Sequence, residues 1–214
     1  MLKAIIFDLD GTILNTISDL CNSCNYALNK YNRKSITLSE ASSFLGNGIK
    51  KLCERALKGD LKYLDEVYNE MLKHYYKNYN VYTTKYDYID EIIKLIKNKN
   101  LIIGVISNKK EEVLIKLVKE QFNDCFDFVI GDRGLRKPDP YNINKISQKY
   151  NIKNDEILYI GDSNVDIETV KNAKCQGAYV SYGYRSYDDM KKLGANPLFK
   201  TSFELYQYLL NYLQ

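Results

Sequence analysis

From Thr83 onward, the sequence alternates short apolar runs with segments of helical periodicity. Four such helical segments are predicted over Tyr88–Asn98, Glu111–Glu120, Tyr141–Tyr150 and Asp166–Ala173. The apolar runs of strand length are Ala4–Phe7, Leu101–Ile106, Phe126–Ile130, Ile157–Ile160 and Ala178–Ser181, followed by a short strand near Leu198. A last helix begins at the capping-box pattern Thr201–Glu204. Because strands that alternate with helices form parallel sheets, the chain is predicted to adopt an α/β fold.

The apolar runs carry few polar residues, which is typical of strands covered on both sides. We therefore expect an open parallel sheet with helices on both faces, a Rossmann-like core. Residues 15–82 differ, because helical periodicity runs through them with a breaker at Gly46-Asn47-Gly48. The predicted organisation is a core made of 1–14 and 83–214, with 15–82 as a small inserted α-helical unit.

Polar side chains follow four of the predicted strands. In chain order they are Asp8, Asp10, Ser107, Asn108, Lys137, Asp162 and Asp166. In open α/β sheets, ligands bind outside the carboxyl ends of the strands. Each cluster alone is weak: Asp8 and Asp10 before Gly11 fit a solvated acidic turn as well as a catalytic pair. Together, carboxylates, a hydroxyl and an ammonium group on one rim suit a phosphate dianion with a hard cation such as Mg²⁺.

In this order, the clusters resemble the four signature motifs of the haloacid dehalogenase-like hydrolase superfamily. They match as DxDGT at Asp8–Thr12, the serine after a strand at Ser107, the lysine at Lys137, and GDxxxD at Gly161–Asp166. Two further features resemble the phosphoglycolate phosphatase branch, namely Gly46-Asn47-Gly48 before Leu52–Leu57, and Gly183-Tyr184-Arg185. The resemblance implies that the helical insertion is a cap over the active site. The linker after it reads Thr84-Lys85-Tyr86-Asp87-Tyr88 where the family often has a Tyr-Pro-Gly-like segment.

The same resemblance implies roles for individual residues. Asp8 would be the nucleophile that forms an aspartyl-phosphate, and Asp10 the general acid and base. Mg²⁺ would be bound by the Asp8 carboxylate, the Asp10 backbone carbonyl and Asp162. Asp166 either holds a metal-bound water or favours the helix N-terminus.

Other residues are implied in substrate binding. Ser107, Asn108 and Lys137 would bind the phosphate oxygens. Weaker candidates for substrate contact are Gly46, Asn47, Gly48 and Arg185.

The predicted function is a Mg²⁺-dependent phosphatase for a small phosphorylated metabolite, with phosphoglycolate as the first candidate. One alternative is a sugar phosphomutase of the β-phosphoglucomutase type, which shares the core. Another, from a different class, is a phospho-accepting signalling domain, which also clusters carboxylates, a hydroxyl and a lysine at strand ends.

Several other classes of protein are not expected. The net charge of +4 is dispersed, which argues against nucleic-acid binding. No apolar run reaches membrane-spanning length, and Asp8 and Asp10 interrupt the N-terminal apolar segment, so no signal peptide is expected. Five scattered cysteines and the single His74 argue against a zinc site and favour a reducing cytoplasm. The sequence leaves the oligomeric state open.

Overall fold

A computed structural model describes residues 1–45 and 48–214. The described chain divides into two compact units, one formed by Met1–Leu14 and Lys85–Gln214 and the other by Asn15–Thr84. The second unit extends two residues beyond the 15–82 expected from the sequence. Of the described helices, none is long and apolar enough to cross a bilayer.

The described strands and helices follow the predicted alternation. The strands are β1 (Ala4–Phe7), β2 (Leu14–Asn15), β3 (Thr84–Lys85), β4 (Ile102–Lys110), β5 (Phe128–Asp132), β6 (Ile157–Gly161), β7 (Gln176–Val180) and β8 (Leu198–Phe199). The helices are α1 (Ile17–Lys30), α2 (Leu38–Phe44), α3 (Ile49–Ala56), α4 (Leu64–Asn78), α5 (Ile89–Asn98), α6 (Glu111–Phe122), α7 (Tyr141–Tyr150), α8 (Asn164–Ala173), α9 (Tyr187–Lys192) and α10 (Ser202–Tyr212). The sequence did not predict α9, β2 or β3, which are all short.

In the first unit, the strands form one sheet in the order β5-β4-β1-β6-β7-β8, and the paired strands run parallel. The chain builds outward from β1 through β4 to β5, then returns to the other side of β1 with β6. The strand order therefore reverses at β1, in the middle of the sheet. Such a reversal point is where open α/β sheets bind ligands.

Both faces of this sheet are covered. Side chains of α7 and α8 join one core cluster with Ala4, Ile6 and Tyr159. Ile5 and Phe7 point to the opposite face because side chains alternate along a strand, and they are fully buried too. Among the helices themselves, α5 contacts α10, and α7 contacts α8. The predicted open parallel sheet with helices on both faces is confirmed.

Among the described helices of the second unit, α1 and α4 pack against each other most extensively. A buried carboxylate, Asp19 on α1, ties down the end of this unit. It accepts hydrogen bonds from the backbone N–H of Val81 and Tyr82, at 3.2 and 3.0 Å, and from the Thr83 hydroxyl at 2.8 Å. These bonds explain why residues 81–83 belong with the helices that precede them.

Candidate active site

The register of the sheet places the end of β1 level with the middle of β4 and with the end of β6. Phe7, the last residue of β1, pairs with Val105 on one side and Ile160 on the other. The Asp8 backbone N–H then donates to the Ile160 carbonyl at 2.8 Å. Asp8 therefore leaves the middle of the sheet one residue before the level of Ser107 on one side and of Asp162 on the other.

A tight turn follows Asp8. The Leu9 carbonyl accepts the backbone N–H groups of Thr12, Ile13 and Leu14 at 3.0–3.2 Å. Gly11 has φ +83°, and a Cβ at this position would overlap the Asp162 carboxylate. Glycine is required here for both reasons, because other residues disfavour this backbone region and none is small enough.

Lys137 is the centre of the buried polar network. Its Nζ lies 2.9 Å from Asp8 Oδ1, 2.7 Å from Asp166 Oδ1 and 2.9 Å from the Tyr159 hydroxyl. Only 3% of the Lys137 side chain is exposed. Burial alone would lower the pKa of this lysine, but the carboxylates of Asp166 and Asp8 more than offset that and raise it. The ammonium group is therefore held in its charged form.

Asn108 holds the Lys137 backbone. Its Oδ1 accepts the Lys137 backbone N–H at 2.8 Å, and its Nδ2 donates to the Lys137 carbonyl at 3.0 Å. The amide thus orients the lysine, while its predicted contact with phosphate stays a prediction. Ser107 is buried beside it, and the Ser107 Oγ accepts the Lys109 backbone N–H at 3.2 Å.

Asp166 occupies the third position of helix α8 and completes a capping box. Its Oδ2 accepts the backbone N–H of Ser163 at 3.1 Å and the Ser163 hydroxyl at 2.6 Å, while its own N–H donates to Ser163 Oγ. The other carboxylate oxygen accepts from Lys137. Of the two roles left open for Asp166, stabilisation of the helix N-terminus is visible directly, and a role beside the metal stays a prediction.

Three buried carboxylates converge next to Lys137. Asp8, Asp162 and Asp166 each offer an oxygen, and these oxygens lie within 4.8 Å of one another. Burial raises the pKa of Asp8 to about 7, with further increases from Asp166 and Asp10, even though Lys137 opposes them. Burial, followed by the charges of Asp166 and Asp8, also raises the pKa of Asp162. In their ionised forms the three carboxylates carry more negative charge than Lys137 can balance, and this excess favours the binding of a proton or another cation.

The Asp10 carboxylate forms an ion pair with a second lysine, Lys109. Its Oδ1 lies 2.9 Å from Nζ of Lys109, whose side chain is 3% exposed. With this pair included, the described site has four carboxylates and two ammonium groups, an excess of two carboxylates. Oxygen donors with an excess of two negative charges match a hard divalent cation such as Mg²⁺. The residues present thus fit the metal that the family resemblance implies.

Asp162 is held from two directions. The Thr12 hydroxyl lies 3.4 Å from Asp162 Oδ1, at the long end of the hydrogen-bond range, and the Tyr184 backbone N–H donates to Oδ2 at 2.9 Å. Arg185 follows directly and is partly exposed. In the second unit, Gly48 is the N-cap residue of α3 with φ +86°, while the predicted substrate residues Gly46 and Asn47 lie outside the described residues.

Two residues of the site, Lys109 and Tyr159, were not among those predicted from the sequence. The Tyr159 hydroxyl donates to the Ile106 carbonyl at 3.1 Å and is also a partner of Lys137. No local signal identifies Lys109, because the apolar pattern ends at Ile106 and only the structure extends β4 to Lys110. Tyr159 gave no signal either, since it reads as part of an apolar strand.

Known proteins resemble the chain over most of its length. A phosphoglycolate phosphatase of Thiobacillus denitrificans is 29% identical over 192 residues, covering 86% of this chain and 85% of the relative. Another, of Nitrosospira multiformis, is 28% identical over 214 residues, with 95% and 93% covered. A crystal structure from Lactobacillus delbrueckii subsp. bulgaricus, of a protein provisionally described as a phosphoglycolate phosphatase, superposes with a TM-score of 0.92 at 28% identity, covering 97% of this chain and 98% of the other.

These likenesses agree with the resemblance drawn from the motifs, including its phosphoglycolate phosphatase branch, which is confirmed. The family model for haloacid dehalogenase-like hydrolases matches residues 5–180 of the sequence, a range that includes Asp8, Lys137 and Asp162. The prediction of an enzyme of the hydrolase class is confirmed with it. The chain belongs to the haloacid dehalogenase-like hydrolase family.

Proposed function

We propose that this protein is a Mg²⁺-dependent phosphatase that hydrolyses a small phosphorylated metabolite through an aspartyl-phosphate on Asp8. The observation that carries the proposal is the group of three buried carboxylates, Asp8, Asp162 and Asp166, around the single ammonium group of Lys137. So much buried negative charge is unfavourable unless a cation joins it. Once a cation has joined it, the same place attracts a phosphate dianion.

In the first step, a carboxylate oxygen of Asp8 attacks phosphorus. The bond from phosphorus to the substrate oxygen breaks, and Asp10 donates its proton to the leaving alkoxide. Lys137 lies against Asp8 and neutralises charge that builds up on the phosphoryl oxygens, while the Ser107 hydroxyl donates to one of them.

In the second step, water attacks the phosphorus of the aspartyl-phosphate. Asp10, now ionised, accepts a proton from that water, and the bond from phosphorus to Asp8 breaks to release inorganic phosphate. Lys109, 2.9 Å from Asp10, holds this carboxylate in place between the two steps. Asp8 is regenerated as a carboxylate, so the cycle needs no other reactant.

Mg²⁺ would be held by Asp8, Asp162 and the Asp10 backbone carbonyl, with Asp166 nearby, and would neutralise phosphate charge as a Lewis acid when bound. A bound cation would also stabilise the ionised form of Asp8. Because the pKa of Asp8 is raised to about 7, a neighbouring cation is required to keep the nucleophile fully ionised at neutral pH.

The names of the relatives support phosphoglycolate as the first substrate to test. We also propose that the helical unit serves as a cap that selects the substrate. The candidate residues for substrate contact are Gly46, Asn47, Gly48 and Arg185. The five cysteines are free, which suits a reducing compartment such as the cytoplasm.

The proposal is tested by measuring phosphate release from a panel of small phosphorylated metabolites, including phosphoglycolate, with Mg²⁺ and with chelator. We expect turnover only with Mg²⁺, and a loss of at least about 10³-fold in kcat for Asp8→Asn, because this change removes the nucleophile. The matched control is Asp65→Asn, whose exposed carboxylate pairs with Lys50 on the surface of the second unit. Undiminished turnover by Asp8→Asn would exclude Asp8 as the nucleophile.

The same preparation separates the two alternatives. A phosphomutase would convert glucose 1-phosphate into glucose 6-phosphate without releasing phosphate. A phospho-accepting signalling domain would accumulate stable phosphoprotein after exposure to a small phosphodonor. We expect phosphate release and neither of these results. Asp10 argues against the signalling domain, because it equips the site to hydrolyse its own intermediate. A mutase would need a cap that shields the aspartyl-phosphate from water.

A further inference from the structure

The segment that follows β7, Tyr182–Tyr184, contacts two separate parts of the site. The Tyr182 hydroxyl donates to the Thr12 backbone carbonyl at 2.9 Å, across 170 positions of sequence. Two residues later, the Tyr184 backbone N–H donates to Asp162 Oδ2 at 2.9 Å. One short stretch of chain therefore links the turn after β1 to the carboxylate after β6.

Between these two bonds, Gly183 packs tightly against the same groups. A Cβ on Gly183 would overlap the Gly11 carbonyl oxygen and the Asp162 side chain. The φ angle of Gly183 is not in the left-handed region, so the need for glycine comes from close approach and not from backbone conformation. Nothing larger can lie between Tyr182 and Tyr184 without moving Asp162 or the turn.

The Tyr182 ring is itself supported. It packs against the ring of Tyr86, with centroids 4.8 Å apart and planes tilted by 59°. Tyr86 is in turn fixed next to the turn, since its backbone N–H donates to the Ile13 carbonyl at 3.3 Å. The Tyr182 ring therefore has a packing partner, Tyr86, whose contact does not depend on the Tyr182 hydroxyl.

We propose that Tyr182 is a positioning residue whose hydroxyl locks the Tyr182–Tyr184 segment onto the turn after β1, and so sets the spacing of Asp8 and Asp162 on which cation affinity depends. This inference rests on the proposed cation site. Outer hydrogen bonds orient the carboxylates that ligate a metal, and losing one typically weakens metal binding by about 10- to 100-fold. Here the Tyr184 N–H orients Asp162, and the Tyr182 hydroxyl fixes that N–H relative to Asp8.

The test is Tyr182→Phe, which removes one hydroxyl and keeps the ring on Tyr86. We expect the dissociation constant for Mg²⁺, measured by calorimetry on the metal-free protein, to rise about 10-fold, the lower end of the effect of losing an outer hydrogen bond. The Mg²⁺ concentration for half-maximal phosphate release rises by the same factor. At saturating Mg²⁺, kcat returns to near the wild-type value, because the catalytic groups are unchanged.

Two further variants sharpen the test. Tyr150→Phe is the matched control, since the Tyr150 hydroxyl also faces a backbone carbonyl, that of Asp127 at 3.5 Å, in the same unit but away from the carboxylates. It should leave the Mg²⁺ affinity unchanged. Gly183→Ala inserts a methyl group against Asp162, and we expect it to weaken Mg²⁺ binding more than Tyr182→Phe does.

The possible outcomes are distinct. Absence of Mg²⁺ binding to the wild-type protein contradicts the proposed function itself. Wild-type binding with the same Mg²⁺ affinity in Tyr182→Phe overturns only the positioning role. A lower kcat at saturating Mg²⁺ with unchanged Mg²⁺ affinity also overturns it, since a general structural defect would give that result.

Discussion

Replacement of Lys137 by methionine is the sharpest test of the buried charge network. Methionine keeps an unbranched stem of similar length and removes the ammonium group, so Asp8 and Asp166 lose the cation that lies 2.9 and 2.7 Å from them. Removing one partner of a buried ion pair costs about 3–5 kcal/mol, because the remaining charge is left without compensation. For a chain of this length, each kcal/mol corresponds to about 2–4 °C in melting temperature. We expect the metal-free variant to melt on the order of 10 °C below the wild-type protein at pH 8.

The effect depends on pH, and its sign follows from Asp8. The pKa of Asp8 in the folded protein is about 7, above its unfolded value, so the folded state binds this proton more tightly. The resulting stabilisation is fully present below the unfolded pKa and is lost as the pH rises through about 7. Without Lys137 the pKa of Asp8 rises further. At pH 5 Asp8 is protonated in both proteins, and the difference between their melting temperatures shrinks.

Thermal melts of metal-free Lys137→Met and wild-type protein at pH 5 and pH 8 measure both effects. Lys50→Met is the matched control, because Lys50 also lies 2.7 Å from a carboxylate, that of Asp65, but with 57% and 76% of the two side chains exposed. An exposed pair is screened by water, so we expect Lys50→Met to melt close to wild type. A Lys137→Met protein that melts like Lys50→Met, or a loss that is equal at both pH values, would refute the reasoning.

Three further predictions concern other parts of the chain. Mg²⁺ must displace the proton of Asp8, whose pKa is about 7, so calorimetry should show binding about 10-fold weaker at pH 6 than at pH 8; equal affinity would contradict the ligand assignment. Asp19→Ala leaves the donors of residues 81–83 without their acceptor, and urea unfolding should show a loss of about 2 kcal/mol, whereas no loss would contradict the proposed anchoring role. Tyr88 has φ +60° at the start of α5, so Tyr88→Gly should be about 1 kcal/mol more stable than Tyr88→Ala by the same assay, the reverse of their helix propensities.

Much of the fold could be predicted because its signals are local. The predicted helix Tyr141–Tyr150 and strand Ala4–Phe7 have the bounds that the structure gives them. The capping-box pattern Thr201–Glu204 marks the start of α10, where the Thr201 hydroxyl accepts the Glu204 backbone N–H. Side-chain periodicity and capping involve residues only a few positions apart, so they can be recognised without knowing which segments pack against each other.

The strand β4 shows where local signals stop. The apolar pattern ends at Ile106, yet the strand continues to Lys110, because its last residues pair with β5, Lys110 with Asp132. This extension buries Lys109 beside Asp10 and leaves Lys110 half-buried at the rim. Two adjacent lysines look alike in the sequence, and only sheet pairing distinguishes the one that enters the site.

The sequence by itself determined the alternation of strands and helices, the acidic turn at Asp8, and the set of residue types expected around a phosphate and a cation. Tertiary structure alone decided which of those groups touch, that Asn108 holds the Lys137 backbone, and that Tyr182 reaches Thr12. The physical reason is that periodicity repeats every few residues along the chain. The partner of a buried charge or hydroxyl is instead set by strand order and register between segments that lie 29 residues apart for Asn108 and Lys137, and 170 apart for Tyr182 and Thr12.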